Sequence, residues 1–121
     1  MTEEETAYVA YCTCKALMVL TKHRIIHRDL KCQNILINSE GHCKIADFGA
    51  AAQLKYLFEK KNTIIGSPYW MAPEVIRNEP YSASADIWSL GITLIECLEQ
   101  RPPLFEMSPM QAAYAIGSGK E

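Results

Sequence analysis

Apolar residues in the first part of the chain recur at the spacing of one helix face. They stand at positions 9, 12, 16, 17 and 20. Thr2 is followed three residues later by Glu5, the pattern of a capping box in which two side chains satisfy the free N–H groups of a helix start. We therefore expect a helix that opens at Thr2 and reaches about Lys22.

Two short runs of β-type residues follow, Ile35–Ile37 and His42–Ile45. The segment Asn38–Gly41 between them has the composition of a turn, so the pattern predicts a β-hairpin. Residues 47–74 show no strong periodicity and carry scattered Gly, Pro, Lys and Asn. We expect a long functional loop there.

The segment Asp86–Leu98 is apolar on nearly every side, which is typical of a helix buried all round. Arg101-Pro102-Pro103 ends it, and residues 109–116 predict another short helix. The predicted fold is mainly α with a small β-hairpin.

Composition limits the chemistry that the chain can perform. A length of 121 residues suits one domain with a modest core, and the net charge of -2 offers no basic stripe for nucleic acid. The acidic run Glu3–Glu5 stands where a secretory signal would be basic, so we expect no such signal. The longest apolar stretch, Ile87–Leu98, is too short to span a membrane.

The cysteine pattern favours reduced thiols and a cytoplasmic location over a disulfide or zinc framework. No two cysteines form a C-x-x-C pair. The chain has five: Cys12, Cys14, Cys32, Cys43 and Cys97.

The run His27-Arg28-Asp29-Leu30-Lys31-Cys32-Gln33-Asn34, followed by Asp47-Phe48-Gly49, carries the candidate chemistry. Asp29 could accept a hydroxyl proton, and Lys31 could neutralise phosphate. Asn34 and Asp47 offer the oxygen ligands that Mg²⁺ prefers. Phosphoryl transfer needs these parts, because it depends on positioning and on charge neutralisation.

Each of these residues also has a plainer interpretation. Asp29 alone could cap a turn, and Lys31 could be a solvated surface lysine. Asn34 and Asp47 could both be turn residues. However, they stand at the open ends of the predicted hairpin, which would bring them near one ion. The pairing across the hairpin favours the functional interpretation.

The motifs H-R-D-x-x-x-x-N, D-F-G and Ala72-Pro73-Glu74 follow one another in this order along the chain. In this the chain resembles the C-terminal lobe of a protein kinase. The resemblance implies an incomplete α+β kinase fold. It also implies a phosphotransferase that uses ATP and Mg²⁺, acts on protein substrates and has an upstream activating kinase. Lys31 is typical of the serine/threonine class, and residues 60–74 are similar to those of sterile-twenty-like (Hippo-type and germinal-centre) kinases.

The resemblance further implies that Thr63 is an activation-loop phosphosite whose phosphate pairs with Arg28. It implies that Ser67 positions substrate by contacting the catalytic Asp29 and Lys31. Most relatives carry Thr at this position, so Ser67 is a mild departure. The alternative is that both hydroxyl residues are ordinary loop residues.

Five other residues receive roles from the resemblance. His27 and Phe48 would stack in the hydrophobic column that couples the kinase lobes. Asp86 would accept backbone hydrogen bonds from the catalytic loop, and Leu36 would support the adenine and so contribute to cofactor binding. Glu74 would pair with an Arg that this sequence does not contain.

The sequence shows no G-x-G-x-x-G loop and no Val-Ala-x-Lys strand. We therefore expect residues 1–121 to be a partial kinase domain with the catalytic loop, the D-F-G motif, the activation segment and the central helix. The N-terminal lobe and the C-terminal helices would be absent, and the isolated chain would be inactive. The alternative is a non-catalytic docking or regulatory module that uses the surfaces at 67–74 and 108–116.

Overall fold

Four helices and four short strands make up the part of the chain that the structure, a computed structural model, describes: residues 1–54 and 66–119. The helices are α1 (Glu3–Lys22), α2 (Pro73–Ile76), α3 (Ser84–Glu99) and α4 (Pro109–Ser118). The strands are β1 (Ile25–Ile26), β2 (Ile35–Ile37), β3 (Cys43–Ile45) and β4 (Ala52–Gln53). The prediction of a mainly α fold with a small hairpin is confirmed.

The first and last helices, α1 and α4, each begin directly after a capping residue. Thr2 and Glu5 form a reciprocal capping box at the start of α1, as predicted. Ser108 and Gln111 form a second one at α4, with Pro at the first helical position. Gly119 ends α4 in the left-handed conformation, at φ +70°, which Gly adopts without strain.

The predicted hairpin is present as the antiparallel pair β2–β3, in which Ile35 lies opposite Ile45. A second antiparallel pair, β1–β4, was not predicted. Each of its strands has only two residues, which is too short for an alternating pattern to be visible in the sequence. This ladder joins the segment before the His27–Asn34 run to the segment after Gly49.

Two groups of buried apolar side chains form the core. One group lies between β1, α2 and the start of α3, and contains Ile26, Leu54, Met71, Ala72, Val75, Tyr81 and Ala85. The other joins α1, the His27–Asn34 run and α3 through Leu17, Leu30 and Leu90. The His27–Asn34 run therefore passes between the two groups, with Leu30 fully buried.

The central helix is apolar on nearly every side, yet only one of its faces is buried in the described part of the chain. One face of α3 is buried and carries mostly small or polar residues: Ala85, Asp86, Ser89, Leu90, Thr93 and Cys97. The opposite face carries large apolar side chains that are 41–58% exposed, namely Ile87, Trp88, Ile95 and Leu98.

The stretch 47–74, expected to be a long loop, contains short elements where it is described. Residues 48–50 and 68–70 form single 3-10 turns, β4 lies between them, and α2 begins at Pro73. Turns of three residues leave no periodic signal, and the sequence pattern could not reveal them. Within residues 1–54 and 66–119, none of the helices is long and apolar enough to cross a membrane.

Candidate functional site

The candidate site is built on the loop between β1 and β2. Arg28 has a left-handed backbone conformation, at φ 72°, which residues other than glycine seldom adopt. A 3-10 turn at Cys32–Asn34 then leads directly into β2. The loop is thus held at both ends by strands.

Asp29, Lys31 and Ser67 meet at the centre of the site. The Ser67 hydroxyl donates a hydrogen bond to Asp29 Oδ1 at 3.0 Å and accepts one from Lys31 Nζ at 2.9 Å. Lys31 Nζ also lies 3.9 Å from Asp29 Oδ1. A carboxylate, an ammonium group and a hydroxyl from two distant segments are therefore in direct contact.

Asn34 is nearly buried, with 5% of its surface exposed, and is tied to Asp29. Its Nδ2 donates to the Asp29 carbonyl at 2.7 Å and lies 3.4 Å from Asp29 Oδ2. Because the amide nitrogen faces Asp29, the amide oxygen is the atom that Asn34 can offer to another group. The Asn34 side chain also keeps the Asp29 carboxylate in place.

Asp47 follows the hairpin directly. The Ala46 N–H donates to the Asn34 carbonyl at 2.7 Å, so the backbone pairing continues to the open end of the hairpin. Asp47 has a left-handed backbone, at φ 56°, and its exposed carboxylate accepts the Gly49 N–H at 3.2 Å through Oδ1. The hairpin therefore places Asn34 and Asp47 at the same end, as the sequence predicts.

His27 is fully buried beneath the loop, and its ring makes two polar contacts. Its Nδ1 accepts the Asp29 N–H at 3.2 Å, and its Nε2 lies 2.8 Å from the Ala46 carbonyl. These contacts together favour the neutral tautomer with the proton on Nε2. The ring also meets Phe48 edge to face, at 4.9 Å between centroids. His27 thus joins the loop to the segment that carries Asp47.

Asp86, on the buried face of α3, accepts two backbone hydrogen bonds from the loop. The His27 N–H donates to Oδ2 at 2.8 Å and the Arg28 N–H donates to Oδ1 at 3.0 Å. Burial raises the pKa of the Asp86 carboxyl above its ordinary value of 3.8, although the two N–H donors oppose that shift. Asp86 therefore fixes the loop backbone to the helix.

The Arg28 guanidinium is held by the chain that follows the D-F-G motif. Nε donates to the Ala50 carbonyl at 2.6 Å, and the two terminal nitrogens lie 3.4 Å from the Ala51 carbonyl and 3.2 Å from the Tyr81 hydroxyl. Gly66 packs against the Arg28 backbone so closely that a Cβ on it would stand 2.5 Å from the Arg28 carbonyl oxygen. Only glycine fits at that position.

Three predicted site residues lie apart from this cluster or outside the described residues. Leu36 is exposed on β2, and Glu74 is half-buried in the first turn of α2. Thr63 lies outside the described ranges 1–54 and 66–119.

Sequence reasoning missed the role of Glu96 in this region. Glu96 Oε2 accepts the Cys32 N–H at 3.1 Å and the Trp70 indole N–H at 2.8 Å. It thereby joins the loop to the 68–70 turn. The available signal was the one acidic residue in the apolar stretch Ile87–Leu98, since a carboxylate that is partly removed from water requires polar partners.

One loop over α3 thus carries a carboxylate, a lysine and an amide, which are residue types that phosphoryl transfer uses. The family model of the protein kinase domain matches residues 1–118. The chain belongs to the protein kinase family, and its fold is that of a protein kinase domain fragment.

Proposed function

We propose that this chain carries the catalytic loop of a serine/threonine protein kinase, which transfers the γ-phosphate of ATP to a protein hydroxyl. The contact of Ser67 with both Asp29 and Lys31 carries the proposal. It presents a serine hydroxyl to the carboxylate of the proposed base, next to a cation. The docking-module alternative is not favoured, because the four side chains proposed for catalysis and metal binding are all present, namely Asp29, Lys31, Asn34 and Asp47.

Asp29 is the proposed base. It orients the substrate hydroxyl and takes its proton as the phosphoryl group is transferred. Its carboxylate lies 3.4 Å from Asn34 Nδ2, and its backbone N–H donates to His27 Nδ1 at 3.2 Å. Lys31 places its ammonium beside the same carboxylate, where it can offset charge on the transferred phosphoryl group.

Asn34 and Asp47 are the proposed magnesium ligands. The amide oxygen of Asn34 and the exposed carboxylate of Asp47 are hard oxygen donors at one end of the hairpin, so the donor set suits Mg²⁺. Bound Mg²⁺ would neutralise charge on the ATP phosphates. Protein kinases generally use ATP and Mg²⁺. Leu36 would support the adenine from the exposed face of β2.

The finer features form part of the same proposal. They are the sterile-twenty-like subfamily, a cytoplasmic location consistent with five free thiols, and an upstream kinase that phosphorylates Thr63. Arg28 would bind that phosphate. Its guanidinium already contacts the carbonyls of Ala50 and Ala51 near the candidate base, so a phosphate there would compete for these donors. His27, Phe48, Asp86 and Glu74 would support the site structurally.

The test joins this chain to the N-terminal lobe of a sterile-twenty-like kinase and measures γ-phosphate transfer to matched Ser, Thr and Tyr peptides. We expect transfer to Ser and Thr peptides only. Asp29→Asn should lower kcat by about 10²–10⁴-fold, the usual contribution of a general base. Glu40→Gln, which removes a carboxylate from the exposed hairpin turn, is the matched control and should leave kcat unchanged.

Equal activity of the Asp29→Asn and Glu40→Gln proteins would contradict the proposed base. Preferential transfer to the Tyr peptide would contradict the serine/threonine class. The metal ligands have a separate test in the same joined protein. Paramagnetic broadening by Mn²⁺ with ATP should reach the Asn34 side-chain amide, and Asp47→Asn should weaken it.

A further inference from the structure

Two thiols from distant parts of the chain face each other beneath the candidate site. Cys32 Sγ and Cys97 Sγ lie 3.3 Å apart, and both cysteines are free. Cys32 stands in the loop between Lys31 and Asn34, and Cys97 stands on the buried face of α3. The proposed function assigns a role to neither thiol.

Hydrogen bonds on both sides hold these two backbones together. The Cys32 N–H donates to Glu96 Oε2 at 3.1 Å, and the Thr93 hydroxyl lies 3.4 Å from the Leu30 carbonyl. Cys32 Sγ is also 3.7 Å from the Thr93 carbonyl, one helical turn before Cys97. The thiols are therefore kept adjacent by the fold, and closing to a disulfide length of about 2.05 Å requires only about 1.3 Å of movement.

We propose that Cys32 and Cys97 form an oxidative modification site, at which hydrogen peroxide converts the thiol pair to a disulfide. The Cys32 thiolate attacks one peroxide oxygen, the O–O bond breaks, and a sulfenic acid and hydroxide form. Cys97 sulfur then attacks Cys32 sulfur, the S–O bond breaks, and water leaves. In total two thiols are oxidised and one peroxide is reduced to two waters.

Cys32 is the first thiol to react, since it is partly exposed whereas Cys97 is buried. Burial, followed by the neighbouring Cys97 and Glu96, raises the pKa of the Cys32 thiol.

The disulfide would fix the loop covalently to α3 at a point between Lys31 and Asn34. The inference rests on the two sulfur positions and is independent of the proposed kinase function. It also differs from the alternative in which all five cysteines are inert reduced thiols.

The test treats the folded 121-residue chain with hydrogen peroxide, blocks the remaining thiols with N-ethylmaleimide, and maps the peptides by mass spectrometry without reduction. Cys32 and Cys43 share one tryptic peptide, so a glutamate-specific protease is added to cut at Glu40 between them. We expect a Cys32–Cys97 link that lacks two hydrogens and disappears on treatment with dithiothreitol. The same oxidation in urea should give mixed pairs.

Cys32→Ser should abolish the link, whereas Cys14→Ser, which removes an exposed thiol, should leave it unchanged. The wild-type peptide map carries the result even if Cys32→Ser weakens the fold. Recovery of Cys32 and Cys97 as blocked thiols, under peroxide that fully oxidises Cys14, would overturn the proposal. So would a link from Cys32 mainly to Cys12 or Cys43.

Discussion

The two faces of α3 differ in what they contact and in what they contribute. The inner face, at Asp86, Ser89 and Thr93, makes directed hydrogen bonds to the loop and to the 68–70 turn. The outer face presents Ile87 and Ile95 to solvent. The inner face fixes positions of backbone atoms, whereas the outer face contributes little to the described fold despite its large apolar side chains.

The comparison shows that hydrophobicity does not identify the important face of this helix. Small and polar residues line the inner face because the loop backbone approaches closely and needs acceptors for its N–H groups. A buried N–H without a partner costs about 1–3 kcal/mol, whereas replacing an exposed side chain usually changes stability by less than about 0.5 kcal/mol. Substitutions on the two faces should therefore differ sharply.

The largest effect is expected for Asp86→Ala. The change leaves the N–H groups of His27 and Arg28 without their acceptor, so unfolding should require about 2–5 kcal/mol less free energy. Urea titration followed by circular dichroism would measure the loss. Asp86→Asn is the matched variant, because it keeps one acceptor oxygen and should lose less. A cost below about 0.5 kcal/mol for the Ala variant, within the range of surface substitutions, would show that water replaces the carboxylate.

A smaller loss is expected for Trp70→Phe. The change removes the indole N–H that donates to Glu96 at 2.8 Å and keeps most of the ring. We expect a loss of about 1.5 kcal/mol, the lower end for a bond to a charged group, because Glu96 is partly exposed. Trp88→Phe makes the same chemical change on the outer face of α3 and should cost less than about 0.5 kcal/mol. Equal losses of free energy of unfolding in the two variants would show that the two faces of α3 do not differ in this way.

A third prediction concerns the pH dependence of stability, in which only the charge of Asp86 changes. Its pKa is raised in the folded chain, mainly by burial, so the folded state binds more protons than the unfolded state between the two pKa values. The contribution of Asp86 to the free energy of unfolding is fully present at a pH below its ordinary pKa of 3.8. It is lost as the pH rises through the raised pKa of the folded state. Relative to Asp86→Asn, the wild-type chain should lose free energy of unfolding over that interval. A gain with rising pH would mean that the two N–H donors outweigh burial.

Much of the fold could be predicted because its signals are local. The capping box at Thr2 and Glu5 marked the start of α1, and the turn residues at 38–41 marked the hairpin. The two-residue strands β1 and β4 could not be predicted, since they pair across 26 to 28 residues and carry no periodic pattern. The sequence shows that α3 is apolar on nearly every side, but it does not show which of those sides is covered, because an apolar residue alone does not reveal its neighbours.

The site was predicted in part through motifs and in part through the hairpin. Asn34 and Asp47 were expected to be brought together by β2 and β3, and the backbone pairing does continue to that end. The contacts of Glu96 could not be predicted, because both partners, Cys32 and Trp70, lie far away in sequence. The same holds for the Cys32–Cys97 contact. Such pairings depend on how the loop crosses α3.

The smallest effect on stability is expected on the outer face of α3. Ile87→Gln, Ile95→Gln and Leu98→Gln should each change the free energy of unfolding by less than about 0.5 kcal/mol, since these side chains are 41–58% exposed. Leu90→Ala on the buried side is the control and should cost about 2–5 kcal/mol. The triple Gln variant should nevertheless bind less hydrophobic dye and aggregate less, because it removes an exposed apolar patch. Unchanged dye binding would show that the dye recognises another surface, and a loss of more than about 1 kcal/mol for any single Gln variant would show that the outer face also packs against the described chain.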